Sequence, residues 1–213
     1  MTDFVSNVQL IYRMPHEEGL LGAIAQVSRN KGDIIDPAYP RDGKIDREGE
    51  RRTLRFCVKA KHWSILEFAQ FVFKIECPIF VARQLMRYRN ASYIERSLRY
   101  CTPTTREFMK EIEDPEAAAT PYATIVQHEE YSRSVYDDLV KDERKELARA
   151  VLPLSTMTIY LMRVDLRELL HIFDERLTPQ CQKETREVVA QMYSIVRPLY
   201  PIVFNAYGEK AGA

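Results

Sequence analysis

No apolar run in the 213-residue chain approaches the roughly 20 residues of a transmembrane helix, so no membrane-spanning segment is expected. The opening MTDFVSNVQ has neither the basic nor the apolar region of a signal peptide, which makes the cytoplasm the expected location. Cysteine is sparse. Cys57, Cys77, Cys101 and Cys181 stand in separate segments without C-x-x-C spacing, so neither a metal site nor a disulfide framework is signalled, and they read as reduced thiols. Net charge is missing too: 31 basic residues balance 31 acidic ones, and the broad positive field that binds a nucleic-acid backbone is absent. With no repeat, no linker and an ordinary composition of 46% hydrophobic and 29% charged residues, the chain is expected to form one domain over residues 1–213.

One stretch departs from the even charge balance. In PIFVARQLMRYRNASYIERSLRY, Pro78 to Tyr100, five arginines (Arg83, Arg87, Arg89, Arg96 and Arg99) fall within seventeen residues and only Glu95 opposes them. Pro78 suits the first turn of a helix, and the residues that follow, up to Arg89, favour one. Such a helix brings Arg83, Gln84 and Arg87 onto one basic face. After Asn90 the period changes to two: Glu95, Ser97 and Arg99 alternate with Arg96, Leu98 and Tyr100, as on a strand. Guanidinium forks beside a carboxylate and a hydroxyl suit a small phosphorylated polar ligand. A solvated helix followed by a salt-bridged edge strand would carry the same residues. The strip with Tyr88, Tyr93 and Tyr100 could also stack single-stranded nucleic acid, a reading that zero net charge weakens.

Elsewhere the pattern predicts a strand over Val8 to Met14, a helix from Glu17 to Val27, and a polar loop to Glu50 with a helix resuming near Arg51. Ser64 and Glu67 have capping-box spacing. Ala69 to Cys77 alternates as a strand, with Phe71, Phe73 and Ile75 on one face. A loop over Glu111 to Tyr122 is a connector or a closing flap. Helices are expected over Ala123 to Lys141 and Glu143 to Val151, then a buried strand over Ser155 to Val164. A helix LRELLHIF starts at Asp165 and Glu168, and a last one runs from Thr178 to Val196 with Pro179 in its first turn. The last residues should fray.

The arginine segment resembles the signature of flavin-dependent thymidylate synthases: arginine-histidine-arginine, seven residues, a serine, and an extension through an asparagine-glutamate pair to Ser-x-Arg-Tyr. Here it reads Arg87-Tyr88-Arg89, Ser92, Ile94-Glu95, Ser97 and Arg99-Tyr100, with Tyr88 for the histidine and Ile94 for the asparagine. The resemblance extends to AIAQVS, ending at Ser28; to a Gly-His-x-(Ser/Thr)-x-x-Glu-His segment matched at His62 and Ser64, with Phe68 for its last histidine; and to ARAVLPL with Arg149. The family's Asn-x-Arg, asparagine and Leu-Arg pattern falls on Asp165, Arg167, His171 and Arg176, followed by Gln182 and Glu184.

The resemblance implies an α+β fold, an antiparallel sheet with packed helices, assembled as a homotetramer with active sites at subunit interfaces. It implies FAD as cofactor, NADPH and methylenetetrahydrofolate as co-substrates, and reductive methylation of a uridylate, dUMP or UMP, at C5. By the same carry-over, Arg176 and Ser97 are catalytic candidates. Gln84, Arg87, Glu95, Ser97, Arg99, Arg149 and Arg176 would hold the nucleotide, while Ser28, His62, Ser64, Arg87, Tyr88, Arg89, Glu95, Asp165, Arg167 and His171 would line FAD. Such chemistry needs no metal or activated cysteine, because the cofactor supplies the redox step and the protein supplies position. The departures at Tyr88, Ile94 and Phe68 resemble a family branch that methylates UMP in polyoxin-type antibiotic pathways. An ordinary dUMP-specific synthase and a non-catalytic member are the other readings.

Overall fold

The computed structural model describes residues 6–15, 18–27, 48–103, 121–141 and 145–208. Its centre is a four-stranded antiparallel sheet in the order β1-β2-β4-β3, built from β1 (Asn7–Met14), β2 (Gln70–Pro78), β3 (Ser92–Glu95) and β4 (Met157–Asp165). Alternation along β2 sends Phe71, Phe73 and Ile75 to one face, fully buried. The register sets them beside Val164, Met162 and Tyr160 of β4. Burial of each such phenylalanine contributes about 1.5–3 kcal/mol, so a one-residue slip of register would be costly. Helices α3 (Ile79–Leu85), α6 (Leu166–Arg176), α7 (Lys183–Val196) and α8 (Pro201–Gly208) add Val81, Leu85, Leu169, Ile172, Val188 and Val203 to the same core. The opposite face of the sheet carries exposed Tyr12, Leu161 and Ile94.

Beside this core, α1 (Gly19–Val27) crosses α2 (Glu48–Lys59) so closely that a Cβ on Gly22 would lie 2.1 Å from the Glu50 carbonyl oxygen. Just before α1, the Glu18 carboxylate accepts hydrogen bonds from the Ile202 and Val203 amides at the start of α8, at 2.9 and 3.3 Å. Burial nevertheless raises the Glu18 pKa above the ordinary carboxylate value. Helix α4 (Pro121–Lys141) packs on α5 (Lys145–Ala148). No helix among the described residues is long and apolar enough to cross a membrane.

Several local expectations are corrected. Pro78 is the last residue of β2 rather than the first turn of a helix, and α3 ends at Leu85, so Arg87, Tyr88 and Arg89 lie beyond it. Strand β3 stops at Glu95, and Leu98 to Tyr100 form a turn, so Ser97 and Arg99 do not share a strand face. β4 is buried on one face only, because Leu161 and Arg163 face outward as in an ordinary half-covered antiparallel sheet. The helix α7 starts at Lys183, with Pro179 in the turn before it, and α8 follows with Val203 and Phe204 in the core.

Candidate functional site

The loop after α3 is closed by its own backbone and by one aromatic hydroxyl. Arg87 and Tyr88 amides donate to Gln84 and Leu85 carbonyls at 3.4 and 3.1 Å, the tight i to i+3 spacing of a fraying helix end. The Tyr93 hydroxyl on β3 lies 2.8 Å from the Leu85 carbonyl and 2.9 Å from that of Tyr88, so the strand clamps the loop. Tyr88 is thereby turned inward, only 6% exposed, while Arg87 and Arg89 on either side point outward.

Tyr88 meets the end of α6. Its hydroxyl donates to Glu175 Oε2 at 2.6 Å and accepts from Arg176 Nε at 2.7 Å. The Arg176 guanidinium also stands 5.4 Å from the Tyr88 ring centre, and His171 packs edge-on against that ring at 5.8 Å. One turn along α6, His171 Nε2 is 3.6 Å from Glu175 Oε1. Burial, then the bond to Glu175, pushes the Tyr88 pKa above that of a free phenol despite the nearby Arg176 charge, so its proton stays available to Glu175. Burial works against the Arg176 charge, but the bonds to Tyr88 and Cys181 outweigh it. Beside this group the Gln84 amide donates to Gln182 Oε1 at 2.5 Å, which ties α3 to the start of α7.

A second group forms at the far end of β3. Glu95 accepts from the Thr158 hydroxyl at 2.8 Å. The turn that follows folds on Ser97, whose carbonyl accepts from the Tyr100 and Cys101 amides and whose Oγ accepts from the Arg99 amide at 3.3 Å. Arg99 reaches Glu146 of α5 with Nε at 2.5 Å, and Arg149 Nε donates to the Glu146 carbonyl at 3.2 Å. Glu146 therefore gathers both arginines. Among the described residues, no hydrogen bond or ion pair joins this group to that around Arg176.

A third group borders the start of α6. Asp165 caps the helix by accepting from the Glu168 amide at 2.8 Å, while the Glu168 side chain turns to Asn90 at 3.0 Å instead of completing a capping box. Burial raises the Asp165 pKa against the pull of that amide. Arg167 pairs with Glu67. Ser64 caps nothing: it lies within the 3₁₀ helix Trp63–Phe68, whose N-cap is His62, so the expected capping box with Glu67 is not formed. His62 is turned outward by Lys61, which takes φ 61° after α2, and it stacks near Phe56 with centroids 6.2 Å apart. Ser28 and the loop expected over Glu111 to Tyr122 fall outside the described residues except at the start of α4.

Among the partners that the sequence does not single out are Glu175, Glu146 and Thr158. For Glu175 a signal existed, since His171 and Glu175 are four apart on one helix face and Arg176 is its neighbour. For Glu146 and Thr158, which meet their partners across 47 and 63 residues, there was none. No group of three or more His, Cys, Asp or Glu among the described residues is arranged to hold a metal ion.

Residues 9–202 match the family described as thymidylate synthase complementing protein. The chain belongs to this family, that of the flavin-dependent thymidylate synthases. The flavin-dependent thymidylate synthase of Borreliella burgdorferi is 31% identical over 192 residues, covering 78% of this chain and 71% of the relative. That of Synechocystis is 30% identical over 203 residues, covering 89% and 88%. Among solved structures, a UMP/dUMP methylase, PolB from Streptomyces cacaoi bound with 5-Br dUMP, superposes with a TM-score of 0.73 over 97% of this chain and 96% of that one. At 21% identity this last likeness establishes the fold. Family membership makes the chain an enzyme and accounts for the α+β architecture with its antiparallel sheet.

Proposed function

We propose that this protein methylates a uridylate at C5, accepting UMP as well as dUMP, with FAD as cofactor and NADPH and methylenetetrahydrofolate as co-substrates. The observation that carries the reading is the half-buried Arg176 guanidinium, held by Tyr88 at the meeting point of the arginine motif and α6. A fixed planar cation there suits negative charge developing on pyrimidine carbonyls. Gln84, Arg87, Glu95, Ser97, Arg99 and Arg149 supply the remaining nucleotide contacts. Arg99 must exchange Glu146 for phosphate, and because both side chains are about half exposed or more, that pair is worth only about 0–1 kcal/mol.

The donor set fits FAD. Arg87 and Arg89 are exposed guanidinium groups with no ion pair to another described residue, the chemistry a diphosphate requires, and Arg167, Asp165, His171, His62, Ser64 and Ser28 complete the surroundings. When bound, FAD supplies the hydride that completes the methyl group, with NADPH as reductant and methylenetetrahydrofolate as donor of the carbon. The nucleotide candidates lie in two separate groups on one chain, and the sheet has an open face with Tyr12, Leu161 and Ile94 exposed. Both features support a homotetramer in which a neighbouring copy completes each site.

Relaxed sugar choice rests on the altered middle of the motif, where Tyr88 and Ile94 stand among retained Gln84, Ser97, Arg99 and Arg176. A pocket not built against an added hydroxyl discriminates by about 10²-fold or less. Parallel steady-state assays with dUMP and UMP are expected to give kcat/KM values within that range. A preference for dUMP above about a thousandfold would overturn UMP acceptance. A preparation without a flavin absorption spectrum and unable to bind added FAD would overturn the whole reading.

A further inference from the structure

Tyr88, His171 and Glu175 share one property. Tyr88 replaces the histidine of the arginine-histidine-arginine signature, His171 replaces the asparagine on the following helix, and Glu175 stands where the Leu-Arg pair has its leucine. Although 87 positions separate Tyr88 from Glu175, the three side chains converge within contact distance around the one residue of that helix end that matches the pattern, Arg176. Independent drift at three positions has no reason to produce a closed set of contacts. A tyrosine that buries its ring and shares its hydroxyl between a carboxylate and a guanidinium is a device for fixing the guanidinium.

We propose that Tyr88, anchored by Glu175 and packed on His171, is a positioning residue for Arg176 that occupies its Nε edge and orients the rest of the guanidinium toward the nucleotide. The inference rests on the reading of Arg176 as the pyrimidine-binding arginine. It reassigns Tyr88, whose place in the motif implies a flavin-lining role, to the nucleotide side. Geometry supports the reassignment: the hydroxyl is committed to Glu175 at 2.6 Å and Arg176 at 2.7 Å, and the side chain is buried. An arginine held at one nitrogen and against a ring face loses rotamer freedom before the ligand arrives, so less is lost on binding. Glu175 acts one bond further out, as acceptor for the hydroxyl proton.

The test is a binding cycle on the flavin-loaded enzyme, with dUMP affinity measured by calorimetry in the absence of reductant and folate. Tyr88→Phe keeps the ring against His171 and Arg176 and removes only the hydroxyl. It is expected to weaken dUMP about 10-fold or more, the usual effect of losing a hydrogen bond to a charged group, while flavin content is unchanged. Glu175→Ala, at an exposed position where folding is not at stake, is expected to weaken dUMP in the same direction. In an Arg176→Ala background Tyr88→Phe should have no further effect, because both act through one guanidinium. A Tyr88→Phe effect that persists undiminished in that background, or loss of flavin from Tyr88→Phe, would overturn the proposal while leaving Arg176 as the nucleotide ligand. Unchanged dUMP affinity in Arg176→Ala itself would overturn the reading of Arg176, and the proposal with it.

Discussion

Replacing Arg176 by lysine keeps a positive charge in place and removes everything else that makes the residue useful. Lysine has no Nε–H to meet the Tyr88 oxygen, now 2.7 Å away, and no planar edge to present two donors in parallel. If Arg176 is the donor that stabilises charge on the pyrimidine, its loss costs about 2.7–4 kcal/mol of transition-state stabilisation, which is about 10²–10³ in kcat. Stability sets the competing effect. A hydrogen bond to a charged group contributes about 1.5–3 kcal/mol, and with Arg176 half-buried and Tyr88 keeping Glu175, the lower figure applies. For a chain of this size that is a fall in Tm of roughly 2–4 °C per kcal/mol, which leaves the protein folded at assay temperature. The assay is steady-state methylation of dUMP at saturating NADPH and methylenetetrahydrofolate, normalised to bound flavin by absorbance. Normal flavin loading with turnover reduced at least a hundredfold is the expected result. Near wild-type turnover would show that Arg176 does not meet the reacting ring, and loss of flavin would move the residue to the cofactor side.

Replacing Cys57, Cys77, Cys101 and Cys181 together by serine should leave turnover per folded, flavin-loaded enzyme within a few-fold. Burial pushes the Cys77 thiol up to about 12, so it carries no thiolate at neutral pH, and its replacement by a hydroxyl in an apolar site should cost about 1–3 kcal/mol of stability. A folded, flavin-loaded quadruple variant without activity would refute a mechanism free of thiol chemistry. At the α1–α2 crossing, Gly22→Ala would put its Cβ 2.1 Å from a backbone oxygen that cannot step aside, so urea unfolding should report a loss of about 1–3 kcal/mol. Gly49→Ala on α2, with nothing within 4 Å, should be at least as stable as the parent, and equal stability for the two variants would show that the helices are not in that contact.

Much of the scaffold is legible in the chain itself. The alternation of Phe71, Phe73 and Ile75 identifies β2 and its buried face, because a period of two has one physical meaning in a half-covered sheet. Asp165 ahead of LRELL announces the start of α6, and the side chain does accept from the Glu168 amide. The motif residues Arg87, Glu95, Ser97, Arg99 and Arg176 point by their types and order to a family and hence to a chemistry. Local pattern did not locate the end of α3. Good helix formers run on to Arg89, but the helix stops at Leu85, where the Arg87 and Tyr88 amides turn to the carbonyls three residues back and the Tyr93 hydroxyl of β3 lies beside the Leu85 and Tyr88 carbonyls. The same limit applies to the turn at Leu98, where an alternating sequence leaves the strand because Ser97 accepts the amides that follow it. Glu175 is the clearest case. Sequence makes it an exposed helix residue four after a histidine, and only the fold, by bringing residue 88 to residue 175, makes it the acceptor that holds Tyr88 against Arg176. Periodicity encodes which face of an element is buried; which distant side chain waits there is decided by the packing of elements far apart in the chain.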